Sequence, residues 1–285
     1  MNILFASSEA HPLIKTGGLA DVAGSLPRAI RKLQHDIRVI IPAYQSILKQ
    51  TGNFTLAAHL EPEGVEQPVR ILTGRLPDSK VILYLVDSPG HFDRAGNPYT
   101  MDNGMTWPDN AERFTVFCRA IQAIALDTAG FDWKPQLVHC NDWQTGLVPP
   151  LLALEAERPA TVFTIHNLAY QGLFDWKIFK KLGLPTGFWS MDALEFHNQF
   201  SFIKGGLVYA DWLTTVSPTY AREIQTSAFG YGLEGLIGHR KDNLTGIVNG
   251  VDYAVWNPSR DPLIPAPYNQ RSLHHKTRNK QALQE

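Results

Sequence analysis

Lys15 stands two residues ahead of a glycine pair in Lys15-Thr16-Gly17-Gly18-Leu19-Ala20-Asp21-Val22. Glycine lets backbone N–H groups approach a ligand closely, and a helix N-terminus carries partial positive charge, to which a lysine adds a full one. The chemistry these residues could do together is to hold an anion, such as the phosphate of a phosphorylated ligand. Further polar groups follow apolar runs directly: Ser7-Ser8-Glu9, Asn141-Asp142, His166-Asn167, Ser217 and Asn249-Gly250. In open α/β sheets ligands bind outside the C-terminal ends of the strands. If each run is a strand, all these groups meet on one rim with Lys15. Taken singly, each has a plainer reading. Ser217 and Asp142 suit a helix cap or turn, His166 suits a packed histidine, and Asn249-Gly250 suits a tight turn.

The elements that must position these residues alternate. Residues 3–6 read as a buried strand. Leu19, Val22, Ala23, Leu26, Ile30 and Leu33 recur at helical spacing behind the glycines, with Pro27 expected to kink or restart that helix after Ser25. Residues 36–41 form a second strand, and residues 69–73 and 81–86 a hairpin or antiparallel excursion. Residues 91–110 read as a long surface loop. A helix over 110–126, a strand over 136–140, a helix over 143–157 interrupted at Pro149-Pro150, and a strand over 160–165 follow. Irregular short helices are expected over 174–202, then a strand over 212–216, a helix over 218–227 and a last strand over 244–248. The pattern dissolves over 259–285. Strands alternating with helices imply right-handed crossovers and an α/β fold with a mostly parallel sheet.

Other chemistries lack their signatures. The chain has no GxSxG, HExxH or GxxxxGK[ST] stretch, and His139 and Cys140 have no spacing partner for zinc. Gly230-Tyr231-Gly232-Leu233-Glu234-Gly235 is a second glycine-rich loop, suited equally to approaching a ligand or to capping a helix. A dehydrogenase fingerprint is disfavoured, because the glycines are adjacent and the second strand ends in Pro42-Ala43-Tyr44 instead of an acidic residue. Over 285 residues, 26 Lys and Arg balance 27 Asp and Glu, which gives no electrostatic case for nucleic acid or an anionic membrane surface. Cys118 and Cys140 form no disulfide framework, and no apolar run reaches the ~20 residues of a membrane span. A soluble, cytoplasmic protein is the expectation.

With these residues in place, the chain resembles the ADP-glucose-using glycogen and starch synthases, retaining glycosyltransferases of the GT-B architecture. The resemblance rests on the Lys15–Val22 stretch, on Val138-His139-Cys140-Asn141-Asp142-Trp143-Gln144-Thr145, on Thr164-Ile165-His166-Asn167-Leu168-Ala169-Tyr170-Gln171-Gly172, and on Val248-Asn249-Gly250-Val251-Asp252, in that order. It implies that residues 1–258 are the Rossmann-like N-terminal domain of a two-domain enzyme. Residues 259–285 would then be the linker and the start of a C-terminal domain required for activity. It further implies transfer of glucose from ADP-glucose to glycogen or a malto-oligosaccharide, with no cofactor or metal. Lys15, Asp142 and His166 would be the catalytic set. Lys15 would contact the donor phosphates, with Gly17 and Gly18 offering N–H groups. Asp21, Asp142 and Tyr99 would line the sugar or acceptor side, His166 would sit against the donor glucose with Asn249 near it, and Asn167 would be a further substrate-binding residue. A stand-alone glucan-binding or regulatory module, or a GT-B transferase using another sugar nucleotide, are the alternatives.

Overall fold

The computed structural model describes residues 1–50, 53–65, 67–253 and 255–285. The chain divides into two compact units, Met1–Asn249 and Gly250–Glu285. In the first, β1 (Asn2–Ala6) leads to α1 (Gly18–Lys32), β2 (Asp36–Pro42), α2 (Gln45–Lys49), β3 (Thr55–Leu60), β4 (Val69–Arg75) and β5 (Ile82–Asp87). Then come α3 (Pro89–Phe92), α4 (Asn110–Ala125), β6 (Leu137–Asn141), α5 (Val148–Leu152), β7 (Ala160–Ile165), β8 (Leu173–Phe174), α6 (Trp176–Lys181), β9 (Glu195–Phe196) and β10 (Gln199–Ser201). The unit closes with α7 (Phe202–Tyr209), β11 (Trp212–Thr215), α8 (Pro218–Glu223), α9 (Glu234–His239) and β12 (Leu244–Gly246).

Among the described residues nine strands form one sheet in the order β12-β11-β7-β6-β1-β2-β5-β4-β3. The seven from β12 to β5 are parallel, while β4 and β3 add antiparallel at one edge. Central parallel strands are covered on both faces, which is why β1, β2 and β5 read as near-continuous apolar runs. Chain order reverses between β1 and β6, the place where such sheets open a crevice at their C-terminal edge. Leu4, Phe5, Val39, Leu83, Val138 and Phe163 are all fully buried in the core beneath that edge.

The structure corrects four local expectations. Helix α1 runs unbroken through Pro27, whose ring is buried with Ala20, Ala23 and Gly24, so packing offsets the one helical hydrogen bond proline cannot donate. The helix expected over 143–157 is a single 3-10 turn at Trp143–Thr145 followed by the five-residue α5, with Pro149 and Pro150 in its first turn. Proline suits a helix start, so the prolines begin this helix instead of interrupting one. Strand β3 emerges where no strand was read, because its exposed edge position leaves little apolar alternation. Within 174–202, β8, β10 and β9 form a small antiparallel sheet among the short helices. Strands of two or three residues carry no periodic signal.

The second unit is more ordered than its sequence suggests. Asn269 and Ser272 form a reciprocal cap on the 3-10 turn Gln270–His275, which continues into α10 (Lys276–Gln284). The Asn279 amide bonds both the N–H and the carbonyl of Ala266, at 2.8 and 2.9 Å. Among the described residues no helix is long and apolar enough to cross a membrane.

Candidate active site

The rim anticipated from the strand ends exists in the first unit. The Asn141 Nδ2 donates to the Ala6 carbonyl at 3.0 Å, and Asp142 N–H to the Thr164 carbonyl at 3.0 Å. These bonds stitch the ends of β1, β6 and β7 together. Ile247 N–H donates to the Thr215 carbonyl at 2.8 Å, carrying the edge on from β11 to the segment after β12, where Asn249 is exposed.

The glycine loop is held by a carboxylate that the sequence places on the rim without a role. Glu9 is 2 % exposed and accepts from the Thr16 N–H, from Thr16 Oγ1 at 2.7 Å and from the Tyr99 hydroxyl. Tyr99 in turn lies 2.8 Å from Ser8 Oγ. Burial, followed by the Glu9 charge, pushes the Tyr99 hydroxyl well above the usual tyrosine range, so it stays protonated and donates. Tyr99 therefore braces the loop from beneath with its polar end turned inward. The signal in the sequence was a lone acidic residue directly after a buried strand.

Lys15 reaches both oxygens of Asp21 at 2.8 Å, and both side chains are 42 % exposed. An exposed pair of this kind contributes little to stability. Its effect is to park the ammonium over the first turn of α1. Gly17 takes an extended conformation as the N-cap, and a Cβ on either Gly17 or Gly18 would meet nothing within 4 Å. Internal packing does not call for glycine at these two positions; the space is open. Gly24 differs, since a Cβ there would sit 2.4 Å from the His11 carbonyl oxygen, where α1 packs on the loop.

Across the rim, Asp142 has φ +56° and ψ −179°, a region occupied almost entirely by glycine. Its Oδ1 accepts from His166 N–H at 2.7 Å and Asn167 N–H at 3.4 Å. Burial raises its carboxyl to about 7 against the pull of those two N–H groups. The Asn167 Oδ1 turns back to its own loop, accepting from Ala169 N–H at 3.0 Å.

His166 Nε2 lies 3.0 Å from Asn141 Oδ1. The Asn141 amide nitrogen is already spent on Ala6, so its oxygen accepts and the imidazole proton sits on Nε2, leaving Nδ1 as an acceptor. Burial lowers His166 to about 4, making it neutral near pH 7. Below it His139, lowered to about 3 by burial and then by His166, bonds Thr164 Oγ1 at 2.6 Å, and Thr164 bonds Thr214 Oγ1 at 2.6 Å. Ser217 is a cap, accepting from Tyr220 N–H at 2.8 Å, and the Tyr220 hydroxyl steadies the loop after His166 by accepting from Leu168 N–H.

A groove of about 580 Å³ is walled by Trp143, Tyr170, Phe174 and Tyr231, with the polar Asn110 and Gln171 among its lining. Tyr170 and Tyr231 are largely exposed, unlike the core aromatics. Aromatic faces with interspersed hydrogen-bonding groups suit a polyhydroxylated ligand. The structure thus joins a lysine-bearing glycine loop, a carboxyl and a neutral imidazole along one sheet edge, and the groove is lined by Trp143, the residue after that carboxyl.

The family described as "Starch synthase catalytic domain" matches residues 2–239. "Glycogen synthase 2" of Nitrosococcus oceani is 57% identical over 282 residues, covering 99% of this chain and 57% of that protein. "Glycogen synthase" of Cellvibrio japonicus is 55% identical over 284 residues, covering 100% of this chain and 59% of that protein. Among solved structures, the catalytic domain of starch synthase IV from Arabidopsis thaliana, bound to ADP and acarbose, aligns with a TM-score of 0.81 at 28% identity. That alignment covers 99% of this chain and 58% of the other. The chain therefore spans somewhat under three fifths of these relatives' length.

Proposed function

The chain belongs to the starch synthase catalytic-domain family, and from that premise we propose that it forms the acceptor-side half of a cleft in which glucose passes from ADP-glucose to the non-reducing end of an α-1,4-glucan, with retention. The observation that carries this reading is the shared edge: Lys15 and the open N-terminus of α1 stand on the same strand-end rim as Asp142 and His166. In this reading residues 1–258 are the N-terminal domain, 259–285 are the linker and the start of the next domain, and that second domain closes the cleft over the nucleotide. The cytoplasm suits a protein whose Cys118 and Cys140 are buried free thiols.

Transfer from a nucleotide sugar develops negative charge on the departing diphosphate and positive charge at the anomeric carbon. Lys15, released from Asp21, and the N–H groups at Gly17 and Gly18 stabilise the first. Neutral His166 and the carboxyl of Asp142 orient the sugar, with Asn167 and Asn249 beside them, and the leaving phosphate takes the acceptor's proton. Asp142 is a positioning and electrostatic group here, since its Oδ1 is committed to two backbone N–H groups. The aromatic groove takes the glucan.

Steady-state transfer of glucose from ADP-glucose to glycogen by the complete enzyme tests the assignment. Lys15→Ala raises the KM for ADP-glucose or lowers kcat, by up to about a hundredfold, the scale of losing one preorganised charge-stabilising donor. Unchanged kcat and KM would remove the phosphate role.

A further inference from the structure

A second cavity, of about 700 Å³, lies behind the groove, between the β9–β10 hairpin and the helices α7 and α9. Phe196 walls both spaces, and the loop across it contributes Tyr231 to the groove and Gly232 to the cavity. That saddle is tightly built: Gly232 has φ +84°, and a Cβ there would lie 2.9 Å from the Phe196 ring and 3.7 Å from His197 Nε2. Tyr231 is held at φ +51°, an outlier for a bulky residue, and stays largely exposed. The second glycine-rich loop is thus a thin bridge where two cavities meet.

The cavity's charges select against an ion. Its two cations are committed to the frame. Lys204 Nζ donates to the carbonyls of Met191 and Glu195, and Arg240 donates to those of Leu207, Val208 and Ala210 at the end of α7. The carboxylates of Asp192 and Glu195 line the same cavity and act on the Lys204 ammonium. The lining sets two carboxylates against one lysine and one arginine that already hold backbone carbonyls, so an anion entering it would meet no excess of positive charge from lysine or arginine. What remains for a ligand is a set of exposed hydrogen-bonding groups, Asp192, His197, Asn198 and His239, around the apolar face of Phe196. A neutral polyol uses that combination, with C–H faces on the ring and hydroxyls on the acceptors and imidazoles.

We propose that this cavity is a distal glucan subsite, holding glucosyl units of the same α-glucan that occupies the aromatic groove, handed over the Phe196 and Tyr231-Gly232 saddle. The proposal rests on the groove being the acceptor site. Short oligosaccharides fill the groove alone, and longer ones gain affinity by reaching the cavity.

Calorimetric titration of the protein with maltotriose and maltoheptaose tests it, using the double variant Asp192→Ala/His197→Gly and, for the groove, Tyr170→Ala. Both distal positions are exposed, and glycine fits the φ of +51° at His197. The expected result is that the double variant binds maltotriose as the unmodified protein does and maltoheptaose about tenfold more weakly, the factor carried by one or two lost hydrogen bonds. Equal maltoheptaose binding by the two proteins overturns the distal subsite while leaving the groove intact. Absence of glucan binding at either length, or indifference to Tyr170→Ala, removes the groove reading and the subsite with it. A readout without substitution is the imidazole NMR signals of His197 and His239. They should shift with maltoheptaose and stay fixed with maltotriose, and no shift with either sugar overturns the proposal.

Discussion

Asp142 carries two costs at once, a glycine-type backbone and a buried carboxyl. Strain of this kind amounts to about 1–3 kcal/mol and collects at functional sites. Because burial raises its folded value to about 7, far above the ordinary carboxyl range, the folded state binds more protons than the unfolded one between about pH 4 and pH 7. Its contribution to stability therefore falls as pH rises across that window, by about 1.4 kcal/mol per unit. Asp142→Asn keeps an acceptor for His166 N–H and leaves the backbone strain at this position unchanged. Thermal unfolding should show the variant gaining stability over the parent at pH 8 and little at pH 4, while glucose transfer by the complete enzyme falls. A gain independent of pH would mean that the carboxyl is not buried as described.

Among the elements, glycines divide into those that let pieces pack and those that leave space. A Cβ on Gly146 would sit 2.0 Å from the Phe202 carbonyl oxygen, and one on Gly206 would sit 2.5 Å from the Phe163 ring. These two positions seat α7 against the turn after β6 and against β7. Gly146→Ala should cost about 2–3 kcal/mol in chemical denaturation, as overpacked sites do. Gly17→Ala meets open space and an extended backbone, so its stability should stay within about 0.5 kcal/mol of the parent. Its KM for ADP-glucose should nonetheless rise about tenfold if a phosphate approaches the loop closely. A stable Gly17→Ala protein with unchanged KM would show that the open space serves no ligand. The same scale explains Glu9: it ties residues 16 and 99 together, so one carboxylate joins the first loop to the long loop after α3.

For the whole molecule, the balanced charge leaves acid stability to a few buried groups. His139 and His166 stay neutral when folded, lowered by burial to about 3 and about 4. Unfolded histidines protonate near pH 6.5, so the folded state binds fewer protons below that value. The stability these two contribute is complete above pH 6.5 and is lost as pH falls toward 4. Asp142 acts oppositely over nearly the same range, leaving a net loss from the three of about 1.4 kcal/mol per pH unit. Denaturant unfolding from pH 6.5 to 4.5 measures it, and His139→Gln should flatten the dependence by one proton. A variant with the parent slope would mean that His139 is protonated in the folded protein.

The sequence by itself determined the parallel core, the strand-end positions of Asn141, Asp142 and His166, and the family, because these depend on local periodicity and on motifs whose order survives without coordinates; the last strand, expected over 244–248, ends at Gly246, three residues before Asn249. It did not disclose the 3-10 turn and short α5, the edge strand β3 or the small β8-β10-β9 sheet, whose pairing lies in non-local hydrogen bonds too few to leave a period. Nor did it assign Glu9, whose partner Tyr99 is 90 residues away, or the tautomer of His166, which depends on Asn141 bonding a carbonyl of β1. Tertiary structure alone decided that Tyr99 braces the loop, that Lys15 rests on Asp21, and that Tyr231 and Gly232 divide two cavities. Local sequence sets which groups reach the rim, whereas long-range packing and burial set which way they point and which proton they keep.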